Sequence, residues 1–116
     1  MSRLIDIAYA RSGDKGSSAN IGVIAYTEEG FQYLLKNLDE KCVAEYFRSL
    51  GPKQVTRFEL PKLWSVNFVL EGILAGGGST SLRLDNQGKA LGQAILQMPV
   101  EITTKQLEVM KRGWQR

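Results

Sequence analysis

The chain has 116 residues, 43% of them hydrophobic and 23% charged, with a formal charge of +3. That length suits one domain around one core and is too short for two, and the composition makes an ordered chain the expectation rather than a disordered one. With Cys42 as its single cysteine and no histidine, the chain has no internal disulfide and no Cys/His zinc site. It also lacks a Ser-His-Asp triad, a Cys-His pair and the side chain best suited to proton transfer near neutral pH.

Residues 3–10 open the chain as a predicted strand built on Leu4, Ile5, Ile7, Ala8 and Tyr9. The polar stretch RSGDKGSSAN, residues 11–20, follows as a loop, and NIGVIAYT, residues 20–27, reads as a second strand rich in Ile and Val. A helix over 28–37 carries Phe31, Leu34, Leu35 and Leu38 on one side. Asp39 then caps a second helix over 40–50 whose face is Val43, Tyr46, Phe47 and Leu50. Gly51-Pro52 stops it. Residues 54–60, QVTRFEL, alternate as a strand.

Residues 64–75 admit two readings: a helix capped by Ser65 and ended by Gly76, or a buried strand. Residues 79–84 read as a strand. Asp85 then caps a helix over 87–97 with Leu91, Ala94, Ile95 and Met98 inward, the rival being a hairpin turn at Asn86-Gln87-Gly88. Met98 to Thr103 gives a last strand, and Thr103 with Gln106 forms a capping box for a short basic tail helix over residues 104–116. Without the first strand and the doubtful helix, two β-α-β units remain in succession. That is the ferredoxin-like order: an α+β sandwich, antiparallel or mixed, with helices on one face and an extra N-terminal strand.

Two stretches carry chemistry. In RSGDKGSSAN, Gly13 and Gly16 could let backbone N–H groups converge on an anion. Arg11 could grip a carboxylate or phosphate and Lys15 add a point charge. Ser12, Ser17 and Ser18 supply hydroxyls, Asp14 a base, and Asn20 an amide. The stretch is neither a P-loop nor GxGxxG, and the alternative is a solvated connection between antiparallel strands. In NFVLEGILAGGG, residues 67–78, Asn67 and Glu71 are polar within an apolar run. They mark either one edge of a pocket, with Glu71 as proton acceptor, or a solvent-facing stripe. Arg83 reaches a ligand or lies on an exposed strand face. Cys42 reads as a packed side chain, having no histidine to activate it, and Trp64 as a core or interface anchor.

RSGDKGSSANIGVIA, ELPKLWSVNFVLEGILAGGG and SLRLDNQGKALGQAIL, in that order over residues 3 to 102, resemble the C-terminal ferredoxin-like domain of the acyclic terpene utilisation (AtuA) proteins. The resemblance implies a ferredoxin-like fold. It also implies a link to breakdown of citronellol and geraniol, a pathway through acyl-CoA intermediates, but no catalytic residues. Its family-like positions are Arg11, Ser12, Gly13, Asp14, Lys15, Gly16, Asn20, Asn67, Gly76, Gly77, Arg83 and Asp85. In that family the domain follows a large N-terminal domain. Here residues 1–103 stand alone before the tail, so a separate large chain, a homo-oligomer, or both are expected as partners.

The expected function is an accessory subunit or domain that binds an anionic small molecule of the acyl-CoA or carboxylate class. The alternatives are a self-assembling regulatory module and a stand-alone enzyme using Asp14, Lys15 or Glu71. No cofactor or metal is expected, and no nucleic acid, the last because the aromatic RNP1 pattern is absent. No apolar run approaches the ~20 residues that span a bilayer and the N-terminus has no signal-peptide pattern, so a cytoplasmic location without membrane contact is expected.

Overall fold

The computed structural model describes residues 2–72 and 87–111. Strand β1 (Ser2–Arg3) leads through a 3-10 turn at Leu4–Asp6 into β2 (Ala8–Lys15) and β3 (Ser18–Ala25). Helices α1 (Glu28–Asn37) and α2 (Glu40–Tyr46) follow, then β4 (Gln54–Leu60), β5 (Ser65–Glu71), α3 (Gln87–Ile95), β6 (Pro99–Val100) and α4 (Thr104–Met110). The chain is therefore α+β, with antiparallel sheets.

Four strands form one antiparallel sheet in the order β2-β3-β5-β4. β3 and β4 each run antiparallel to β5 between them. They are thus parallel to each other, and a parallel pair requires a crossover, which α1 and α2 supply. β1 and β6 form a separate two-residue ladder, Ser2 opposite Val100 and Arg3 opposite Pro99.

Three expectations change. The strand over 3–10 is broken, because Leu4–Asp6 turns and buries Leu4. The Leu4 and Ile5 amides donate to Met98 and Leu96 carbonyls instead of joining the larger sheet. The stretch RSGDKGSSAN is not a loop. It is a hairpin in which Lys15 pairs with Ser18 across the two-residue turn Gly16-Ser17. Gly16 takes φ 63, the positive φ that this turn requires at its first central position. Of the two readings of residues 64–75 the strand holds, over 65–71: Ser65 caps no helix but pairs with Ile24 on one side and Leu60 on the other. The expected last strand also shrinks to Pro99–Val100. The expected strand over 79–84 and the Asp85 cap lie outside the described residues.

The helices form where local signals demand them. Thr27 accepts from the Gly30 amide at the start of α1, and Asp39 from the Cys42 amide at the start of α2. Gly51, at φ 66, ends the 3-10 turn that follows α2. Arg57 of β4 donates to the Leu35 and Leu38 carbonyls, covering two of the acceptors that a helix C-terminus leaves open. Thr103 and Gln106 make the reciprocal capping box of α4.

Phe31, Leu34, Leu38, Val43, Phe47, Leu91, Ile95 and Met110 from the helices meet Ile21, Val23, Val66, Phe68 and Leu70 from the sheet in one core. Alternation along β3 and β5 sends these residues to the helical side. Asn20, Gly22, Ile24, Asn67 and Val69 are left on the other, which no described helix covers.

Candidate functional site

The open side of the sheet is ordered by its register. One cross-strand row is Tyr9, Ile24, Ser65 and Leu60; the next is Arg11, Gly22, Asn67 and Phe58. A third is Gly13, Asn20, Val69 and Thr56. A cleft of about 450 Å³ lies over these rows, lined by most of them and by Leu63 from the turn after β4. Gly13 and Gly22 place bare backbone in its floor, and interior strand glycines suit close approach of a ligand.

Gly22 has a specific structural role. A Cβ there would meet Asn67 Oδ1 at 2.8 Å, so the missing side chain lets the Asn67 amide lie across β3. That amide is anchored by its neighbour two residues back on the same face of β5. Ser65, only 3% exposed, donates its hydroxyl to Asn67 Oδ1 at 3.1 Å.

Arg11, on the far side of Gly22, is exposed. Among the described residues its guanidinium has no ion-pair or hydrogen-bond partner. The described lining includes no carboxylate. The described polar lining of the cleft therefore carries a positive charge and amide and hydroxyl groups.

Toward β4 the lining turns apolar. Leu60 and Leu63 also line an adjoining apolar concavity of about 420 Å³ with Pro61 and Lys62. Leu63 is 64% and Phe58 51% exposed. Trp64 takes φ 53, a left-handed backbone that is uncommon outside glycine. It is 39% exposed, so it is not a core anchor. At the other wall Tyr9 stacks on Tyr26, ring centroids 5.7 Å apart.

The structure brings Arg11, Ser12, Gly13, Asn20 and Asn67 to one cleft. It does so through strand register rather than through a glycine nest, since Gly13 sits in the ladder opposite Asn20 without a positive φ. The Ser12 hydroxyl accepts from the Gly92 amide at 2.7 Å, tying β2 to α3. Gly16 lies in the hairpin turn, outside the described lining.

Asp14 and Lys15 pair with Ala19 and Ser18 through their backbones. Glu71 is exposed at the end of β5 and does not line the cleft. Four strand residues separate it from Asn67, about 13 Å at strand spacing. The polar pair Asn67 and Glu71 therefore does not act as one edge. Gly76, Gly77, Arg83 and Asp85 lie outside the described residues. The described start of that run passes beside the hairpin, where the Gly72 amide donates to the Ser17 carbonyl.

Sequence reasoning missed Gly22, Ser65, Tyr9, Ile24, Leu60 and Leu63. An interior glycine in the strand pattern NIGVIA was the available signal for Gly22. Ser65 offered none, since neither its helix-cap reading nor the strand reading placed its hydroxyl against Asn67. Cys42 is half-buried with Sγ 3.8 Å from Met98 Sδ. Burial, and then the nearby Asp39, push its thiol up, which opposes a nucleophilic role.

Among the described residues no helix is long and apolar enough to cross a membrane. No curated protein and no solved structure matches this chain. The family model of the AtuA ferredoxin-like domain matches residues 2–101, and on that match the chain belongs to the AtuA ferredoxin-like domain family.

Proposed function

We propose that this domain is an accessory, ligand-binding part of an AtuA-like assembly, and that its open-face cleft binds a small anionic molecule of the carboxylate or acyl-CoA class. The observation that carries this reading is Arg11. It is an exposed guanidinium without a described partner, beside a glycine floor, in a cleft without a described carboxylate. A cation so placed can take an anion as a charge-assisted, bidentate partner. Binding is favoured over turnover because Glu71 stands apart from the cleft and the chain has no histidine. A role in breakdown of acyclic terpenes or related acids is the pathway reading that the family suggests. Exposed Phe58, Leu63 and Trp64 beside the cleft favour a second chain bordering the site, either another copy or a larger partner.

A thermal-shift screen of the purified chain against small and medium-chain carboxylates and their CoA esters tests the reading. Light scattering on the same sample gives its mass. Ligand that binds only the folded state raises the midpoint by mass action. The expected result is a rise with at least one carboxylate or CoA ester that Arg11→Ala abolishes. A well-folded chain that shifts with none of them overturns the proposal.

A further inference from the structure

The polar side chains that flank Gly22 in its cross-strand row are those of Arg11 and Asn67. Among the described residues Ser65 is the one buried polar side chain, and its hydroxyl proton is committed to Asn67 Oδ1. The same Oδ1 lies over Gly22, within 2.8 Å of where a Cβ would stand. The carbonyl branch of the amide is thereby fixed against the sheet. Nδ2 occupies the other branch of the planar group, and no described residue accepts from it. Across Gly22 in the same row stands Arg11, whose guanidinium offers donors and no acceptor. A head group held between Arg11 and the Nδ2 branch of Asn67, above the amide that covers Gly22, meets N–H groups from each, while Oδ1 stays turned to the sheet.

We infer that the cleft selects a free monocarboxylate with an apolar chain, rather than its amide or its CoA ester, and that Ser65 is the positioning residue that sets this selectivity. The inference rests on the ligand-binding reading above and narrows it.

Three features carry it. A carboxylate presents only acceptors to the Asn67 and Arg11 donors, whereas a primary amide turns N–H groups toward them. Arg11 is the one cation in the described lining, which matches a single negative charge. Forming a CoA ester replaces the carboxylate with a neutral thioester carbonyl, and the charges that remain are coenzyme A's own distant phosphates, leaving Arg11 without its counter-charge at the head position. Lastly, polarity runs along the strands. The row next to Arg11 and Asn67 holds Tyr9, Ile24 and Leu60, with Leu63 beyond. Rows two residues apart are about 7 Å apart, so a chain leaving the head group in that direction passes onto apolar side chains.

Octanoate, octanamide and octanoyl-CoA are the probes, titrated by calorimetry into the wild-type chain and into Arg11→Ala, Ser65→Ala and Asn67→Ala. Octanoate is expected to bind the wild type, and octanamide about tenfold more weakly through loss of the charge-assisted bonds. Octanoyl-CoA is expected to bind no more tightly than octanoate. In Ser65→Ala the Asn67 amide is free to turn its carbonyl outward, so the octanoate-to-octanamide ratio collapses toward one, a change that a purely structural role would not produce. Asn67→Ala gives the same collapse and covers the case in which Ser65→Ala fails to fold.

The inference is overturned, with the binding reading intact, by any of three results once octanoate or octanoyl-CoA binds in an Arg11-dependent way. These are equal octanamide affinity, tighter octanoyl-CoA binding, or an unchanged ratio in the Ser65 and Asn67 variants. If neither octanoate nor octanoyl-CoA binds, the inference falls, and the binding reading falls with it only when no carboxylate or CoA ester of the thermal-shift screen binds either.

Discussion

The two faces of the four-stranded sheet share one hydrogen-bond ladder and have opposite compositions. On the helical face Ile21, Val23, Phe68 and Leu70 are fully buried. On the open face, in the same strands, stand Asn20, Gly22, Asn67 and Val69. The contrast teaches where stability and recognition reside. Burial against α1, α2 and α3 supplies the apolar transfer free energy of the fold. The other face is held in register by that core and can carry glycines, a cation without a partner among the described residues, and amides, with little loss of stability.

The sharpest way to break this comparison is a pair of matched truncations. Phe68→Ala empties a fully buried site and is expected to cost about 3–5 kcal/mol, read by chemical denaturation. Phe58→Ala, at a position 51% exposed on the open face, is expected to change stability by about 0.5 kcal/mol or less. Equal losses would mean that both faces serve as core.

Next in size is Gly22→Ala. The new Cβ meets the end of a flexible side chain, Asn67 Oδ1, so the amide moves and its bond to Ser65 breaks. The expected stability loss is about 0.5–1.5 kcal/mol, the worth of one hydrogen bond. Octanoate affinity should fall by about tenfold, as expected when a ligand loses one set of positioned donors. A variant that unfolds, or one that binds normally, would separate the glycine from the site.

The smallest expected effect is on pH dependence and belongs to the helical face. Burial pushes up both the Cys42 thiol and the Tyr33 phenol. A group whose acid form is favoured in the fold contributes stability that is complete below its ordinary value. That contribution is lost as pH rises through the folded value. Ordinary values are 9.0 for the thiol and 10.0 for the phenol. Stability should therefore decline from about pH 9 upward, and Cys42→Ala should delay the onset of that decline. Constant stability through this range would show that neither group differs between folded and unfolded chains.

Legibility in the sequence followed the range of the forces involved. The spans of α1 and β4, the Asp39 cap and the Thr103–Gln106 capping box rest on neighbours a few residues apart, and all are present. β5 was ambiguous because its apolar run fits either period. Only pairing on both sides, with β3 and β4, makes it a strand. RSGDKGSSAN looked like a loop because its residues are polar. It is extended because β3 supplies its ladder partners.

The candidate site divides in the same way. Its polar members Arg11, Asn20 and Asn67 were chosen from the sequence by residue type, since guanidinium and amide groups in apolar surroundings are conspicuous wherever the chain puts them. Their meeting was not readable, because Arg11 and Asn67 are distant in sequence and become neighbours only when both strands flank Gly22. Nor was the buried Ser65 hydroxyl beside the amide, which depends on β5 being central in the sheet. What the sequence determined by itself was local: helices, caps, the alternating face and the chemistry available. The cleft, its donor character and its apolar end were decided by tertiary structure alone, because strand register is a non-local choice made by the packing of the whole sheet against its helices.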